Sequence, residues 1–155
     1  MSAPVTHGTV VVEREFATSS SRLFDLFAKA SEREKWGAPN EGAAYIIEKD
    51  DFREGGNGLV RCGNAADPRI TVQTHYHRIS NGRLLVFTEH IRNDGDPLAV
   101  NVTTAEFVSH DAGCRLRTTI QIASFIGEEM ISNTRMGHEG SMDGLERYLA
   151  RTAEI

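Results

Sequence analysis

A chain of 155 residues is the length of one ordinary domain, and 39% hydrophobic with 25% charged residues is a globular balance that excludes wholesale disorder. The 17 Lys and Arg against 22 Asp and Glu leave a net charge of −5, spread along the chain rather than gathered in blocks. That argues against nucleic acid, and against an anionic membrane surface, as the main partner. No apolar run approaches the roughly 18 residues of a membrane span, and Met1–Gly8 has neither the basic nor the apolar part of a signal peptide. Cys62 and Cys114 are single and far apart, so the expected compartment is a thiol-reducing cytoplasm.

No linker, repeat or low-complexity tract interrupts the chain, which predicts one domain over 8–151 with flexible ends at 1–7 and 152–155. Val10 to Phe16 reads as a first strand, with Val10, Val12 and Phe16 on one face. Hydroxyls from Thr18 to Ser21 offer a helix N-cap, and Leu23, Phe24, Leu26 and Phe27 follow at helical spacing. Ser31, with acidic residues at 32 and 34, predicts a second short helix ending near Trp36-Gly37, before Pro39. Strands are then expected over 43–52, 58–64, 70–80, 83–92, 98–109 and 115–125. Asn81-Gly82 is the favoured pair for a two-residue type I′ hairpin, and connections this short make antiparallel neighbours.

From about Glu128 to Arg151, Ile131, Thr134, His138, Met142, Leu145 and Leu149 fall on one helical stripe. Gly137, Gly140 and Gly144 lie together beside it. Each glycine destabilises a helix by about 1 kcal/mol relative to Ala, so the cluster implies close approach of another backbone, or room for a bound molecule. A long helix with one apolar stripe, following a run of strands, buries that stripe by lying across the sheet. The expected class is α+β: a curved antiparallel sheet of about seven strands wrapped around a long C-terminal helix, with two short helices after strand one and a cavity between sheet and long helix.

This order of elements resembles the START-like helix-grip superfamily, often abbreviated SRPBCC. Within it the chain is similar to the family named for the activator of heat-shock-protein-90 ATPase, which includes many small bacterial single-domain proteins. The stretches that carry the resemblance are Glu13-Arg14-Glu15-Phe16-Ala17, the helix pair from Leu23 to Pro39, the Asp51-Phe52-Arg53-Glu54-Gly55-Gly56 turn, Tyr76 to Ile79 with Arg83 to Glu89, and Gly137-His138-Glu139-Gly140 with Leu145 and Leu149. Two positions depart from the family pattern. Ser141 stands where a Trp often follows the last of those glycines, and Asn81-Gly82 replaces a commonly Pro-rich turn. The resemblance implies the helix-grip fold and a cavity that holds lipids, hormones or polyketides in some members and serves as an enzyme site in others. Its namesake also implies a chaperone-linked protein-interaction role. Fold alone does not choose among these.

Strand parity sorts the candidates for chemistry. With a two-residue turn at Asn81-Gly82, Val72, Thr74 and Tyr76 share a face with Leu85, Phe87, Glu89 and Ile91, while His75, His77 and His90 lie on the other. The more apolar face is assigned to the cavity. Glu89 is then a carboxylate among apolar groups, suited to acid–base work if buried; its ordinary role is a solvated end of a strand or a pair with Arg14. His138, central on the helix stripe, reads either as a ligand-binding or proton-shuttling group or as a core histidine satisfied by Thr118 or Thr103. The catalytic alternative is a Glu89–His138 couple.

Asp111-Ala112-Gly113 predicts pairing of Phe107 with Leu116, which turns Asn101, Thr103 and Ala105 inward with Thr118 and Ile120. Trp36 and Met142 complete the expected lining, Trp36 at one end. His75, His77 and His90 are a weak metal alternative on a face that is expected to be solvated; otherwise no metal or cofactor is expected. No Gly-x-Ser-x-Gly and no phosphate loop occurs, so nucleophilic hydrolase chemistry has no support in the sequence, and the choice between binding protein and enzyme stays open, leaning to the former. The leading expectation is a small, mostly apolar ligand oriented by Glu89, His138 and Asn101, held by a monomer or homodimer. The alternatives are an enzyme of the polyketide cyclase type and the interaction module.

Overall fold

The computed structural model describes residues 4–152. In chain order it contains β1 (Thr6–Phe16), α1 (Ser20–Ala28), α2 (Ala30–Trp36), β2 (Ala43–Asp50), β3 (Asn57–Asn64), β4 (Ile70–Ser80), β5 (Leu84–Asn93), β6 (Asp96–His110), β7 (Gly113–Ser124) and α3 (Glu128–Thr152). The strands form one seven-stranded antiparallel sheet in the order β1-β7-β6-β5-β4-β3-β2. Six strands run as a meander, and β1 closes the far side against β7. The α+β helix-grip architecture is therefore as the sequence predicts. Among the described residues, no helix is long and apolar enough to cross a membrane.

Several local expectations change. Thr6 and His7 pair with Ser124 and Ala123, and Thr152 ends α3, so these are parts of elements rather than loose ends. Pro4 and Val5 belong to no element, and the rest of that expectation, at 1–3 and 153–155, lies outside the described residues. Ser19 caps α1 by accepting from the Arg22 amide at 3.0 Å, but Lys29 rather than Ser31 stands at the cap of α2.

The β4–β5 turn is not type I′. That turn needs positive φ at both central residues, and here only Gly82 has it, at 76°. Ser80 therefore pairs with Leu84, one residue later than expected, and a bulge at His77 removes the offset. Beyond the bulge Tyr76 pairs with Phe87 and Thr74 with Glu89, so the faces assigned from parity stand. A second bulge, at Glu48 in β2, puts Ile47 opposite Val60 and Asp50 opposite Gly58.

The inner face of the sheet packs Val10, Val12, Leu116, Ile120 and Ile122 with Leu23, Phe24 and Leu26 of α1 and Met142 and Leu145 of α3. Leu145 is fully buried, a placement that contributes roughly 1.5–3 kcal/mol for such a side chain. The long helix packs mainly on β1 and more lightly on β7, and also touches α2. Two of its glycines admit the chain that follows α2: a β-carbon at Gly140 would stand 2.3 Å from the Pro39 carbonyl oxygen, and one at Gly144 would stand 2.9 Å from that of Trp36. Gly137 faces open space. Ser141 donates to the Gly37 carbonyl at 2.7 Å in the same seam.

Candidate functional site

Because α3 lies over β1 and β7, it does not roof the other half of the sheet. Over that half α2 packs on β2, while α1 packs on β6 and β7 and reaches across with Phe27, and a cavity of about 90 Å³ lies there. Phe27 of α1 and Arg33 of α2 face Tyr45 and Asp50 of β2 and Gly58 and Val60 of β3. Val72, Thr74 and Tyr76 of β4 and Leu85, Phe87 and Glu89 of β5 complete the wall. The cavity thus sits beneath the two short helices, not between sheet and long helix. A larger groove of about 570 Å³ on the surface runs between the start of α1 and the β4–β5 turn, past Ser20, Gly82, Arg83 and Ser109. It is open and gathers no set of opposed ionisable groups, so the interior cavity is the better candidate.

Each polar group in the cavity has a local cause. Alternation from Tyr45 and Ile47 would turn Lys49 inward, but the bulge at Glu48 leaves Lys49 exposed and brings in Asp50, whose side chain is 7% exposed. Asp50 Oδ1 accepts from the Tyr76 hydroxyl at 2.6 Å and lies 3.3 Å from Arg33 Nη2. Arg33 Nη1 donates to the Phe27 carbonyl, tying α2 to α1. Tyr45 lies against Gly37, where a β-carbon would come within 2.7 Å of its ring. Burial pushes the Tyr76 hydroxyl up in pKa despite the nearby Arg33 charge, and it pushes Tyr45 up as well. Desolvation leads the causes at Arg33, yet its interactions with Tyr45, Tyr76 and the Asp50 carboxylate outweigh it and hold the guanidinium more firmly protonated than usual.

Glu89 stands in the row Gly58–Thr74–Glu89–Asn101 across β3 to β6. Gly58 carries no side chain, which leaves space beside Asp50 and Thr74. Glu89 is half-buried and lines this cavity. Desolvation raises its pKa to about 7, and only the Arg33 charge opposes the shift. No hydrogen bond contributes to holding it ionised. It does not pair with Arg14, which binds Asp143 at 2.6 Å instead.

Of the residues expected at the site, Tyr76, Phe87 and Glu89 line the cavity. Trp36 sits one layer behind it, its ring centroid 4.7 Å from that of Phe27 and its Nε1 donating to the Leu26 carbonyl at 3.0 Å. Phe107, Ile120 and Met142 are packed in the core. Asn101, Thr103 and Thr118 face inward as predicted, Phe107 pairing with Leu116, and are buried.

His138 Nε2 is also buried, but neither Thr118 nor Thr103 satisfies it: this nitrogen, both threonine Oγ1 atoms and Asn101 Oδ1 have no hydrogen-bond partner among the described residues. Desolvation lowers the His138 pKa to about 4, with Arg14 adding to the effect. His138 responds to Arg14 and Glu89 to Arg33, so the two do not form a couple. His75 bonds Asn57 at 2.8 Å and His77 bonds Thr88 at 2.9 Å. Among the described residues, no three His, Cys, Asp or Glu side chains gather as metal ligands.

Sequence reasoning missed Arg33, Tyr45 and Asp50. The Tyr45, Ile47 alternation could have given Tyr45. Asp50 depends on a bulge and Arg33 on the docking of α2, and neither is written in local spacing.

Comparison with known proteins agrees with this architecture. The chain superposes on a protein from Rhizobium leguminosarum with a TM-score of 0.82 and 21% identity, over 96% of this chain and 97% of that one. The Mll3558 protein from Rhizobium loti gives a TM-score of 0.82 at 26% identity, covering 94% and 99%. The AHSA1 protein from Silicibacter pomeroyi gives 0.76 at 21%, covering 94% and 99%. No curated protein matches the chain. The family described as Activator of Hsp90 ATPase homolog 1-like protein matches residues 17–150, from the exit of β1 nearly to the end of α3. That span takes in both short helices and every strand of the cavity wall, and the chain belongs to this family.

Proposed function

We propose that this protein binds a small molecule in the cavity beneath α1 and α2, with apolar walls supplying affinity and Glu89 setting orientation. The observation that carries the reading is a half-buried carboxyl group lining a cavity without a hydrogen bond that favours its charge. Carboxyls buried without a partner are costly, and a binding site is where such a cost is offset by the ligand. At about 90 Å³ the space is well below the roughly 300–1,000 Å³ of drug-sized sites, so it accepts a ligand smaller than benzene unless α1 and α2 move outward.

The experiment is a ligand-observed NMR screen of compounds no larger than benzene, against the protein and against Thr74→Phe, which fills the cavity. Saturable binding that vanishes in the folded variant is expected. Binding that persists in Thr74→Phe places the ligand elsewhere and overturns the reading.

A second reading has its own observation. A carboxyl poised near pH 7 suits general acid–base catalysis on a ligand in the same cavity. Under it, Glu89→Gln retains binding and loses turnover by at least about a hundredfold.

A further inference from the structure

The cavity contains one guanidinium and two carboxyl groups. Arg33 and Asp50 answer each other at 3.3 Å, with Tyr76 donating to the same Asp50 oxygen at 2.6 Å. Glu89 is left over. When it ionises, the site holds one negative charge without a counter-ion, between apolar walls such as Val60, Val72 and Leu85. Such a charge is costly in this partly open, mostly apolar pocket until a proton or another cation neutralises it. We infer that the ligand of this cavity is a small organic cation, an alkylammonium smaller than benzene, whose positive charge takes the place of the Glu89 proton. The inference rests on the binding role proposed above and specifies its ligand class.

Four aromatic residues, Phe27, Tyr45, Tyr76 and Phe87, line the same space, and aromatic rings attract ammonium groups by about 0.5–2 kcal/mol according to desolvation. The exchange balances: the Glu89 carboxyl and the ammonium ion give a carboxylate–ammonium pair and one proton released to solvent. The other ionisable groups near Glu89 are Arg33 on α2, Tyr45 and Asp50 on β2, Cys62 on β3 and Tyr76 on β4. Burial and the Glu89 charge push Cys62 up to about 11, both tyrosines are raised, and Arg33 stays charged. Glu89, at about 7, is therefore the group whose charge changes near neutrality.

The test is isothermal titration with dimethylammonium chloride, which stays protonated throughout, alongside neutral 2-propanol, at pH 6 and pH 8. Each titration is run in two buffers of different ionisation enthalpy and followed by amide NMR shifts at Thr74 and Phe87. About tenfold tighter dimethylammonium binding at pH 8 is expected, because the ionised fraction of a group titrating near 7 rises about tenfold across that interval. Nearly one proton should be released per ligand at pH 6 and almost none at pH 8. Glu89→Gln should lose the cation at least tenfold and keep 2-propanol. If 2-propanol binds the unmodified protein as tightly as the cation at both pH values, the charge inference fails while the cavity reading stands. If neither probe shifts Thr74 or Phe87, both fail.

Discussion

Gly140 of α3 and Pro39, in the chain leaving α2, approach so closely that a β-carbon on the glycine would lie 2.3 Å from the Pro39 carbonyl oxygen. The obstacle is backbone and cannot rotate away. Gly140→Ala should therefore destabilise the fold by about 2–4 kcal/mol, although alanine is the better helix former by about 1 kcal/mol. Gly137, with nothing within 4 Å, is the internal control: Gly137→Ala should stabilise by up to about 1 kcal/mol. Urea melts of the two variants measure both signs.

The Arg33–Asp50 pair is enclosed, with side chains 12% and 7% exposed. Arg33→Met strands a carboxylate beside the Tyr76 hydroxyl and should destabilise by about 3–5 kcal/mol. Replacing both, as Arg33→Met with Asp50→Leu, should recover most of that loss. Equal losses in the single and double variants would show that Arg33 matters through its packing and its bond to the Phe27 carbonyl instead.

Glu89 and His138 should give stability opposite slopes with pH. Between about 4.5 and 7 the folded state keeps a proton on Glu89 that the unfolded chain releases, so this group makes stability fall as pH rises, then level off. Between about 4 and 6.5 the unfolded chain protonates His138 while the folded state resists, so this group makes stability rise with pH, then level off. Each contribution is on the order of 3 kcal/mol and the windows overlap, so the unmodified protein should vary little from pH 5 to 6.5. Glu89→Gln should expose the rising slope and His138→Leu the falling one in urea melts taken at half-unit intervals. Two variants sloping the same way would refute the assignment.

Thr118 is buried with a hydroxyl that has no partner among the described residues. Thr118→Val keeps the shape and removes the polar atom, so it should be neutral or stabilising by about 1 kcal/mol. A loss above about 1 kcal/mol, read from thermal or urea melts, would mean that the hydroxyl has a use in the folded protein.

The fold was legible because its signals are local and repeated. Val10, Val12 and Phe16 alternate, the stripe from Ile131 to Leu149 keeps helical phase, and Asp111-Ala112 sets the pairing of Phe107 with Leu116. Glu89 was legible too, since parity counted from Asn81-Gly82 reaches it through two errors that cancel, a longer turn and the bulge at His77. The position of the cavity was not legible. It depends on α3 leaning toward β1 and carrying His138 with it, while Asn101 and Thr103, the cross-strand neighbours of Glu89 and Phe87, fall just outside the lining and Thr118 on β7 lies farther off. No periodicity within a helix specifies which half of a sheet it will cover.

The extra residue in β2 works like a frameshift. A strand is read in steps of two, and one inserted residue changes which letters downstream are read on the inner face. Removing Glu48 would leave Lys49 opposite Leu59 and Asp50 opposite Gly58 in an unbroken ladder, whereas drawing Glu48 into the ladder would place Lys49 inward and Asp50 outward. The bulge thus decides whether an anion or a cation enters the cavity at this point while leaving the topology alone. Within one fold, the gain or loss of such a bulge can reverse the sign of charge a pocket presents, a shorter route to a new ligand class than rebuilding its walls one substitution at a time.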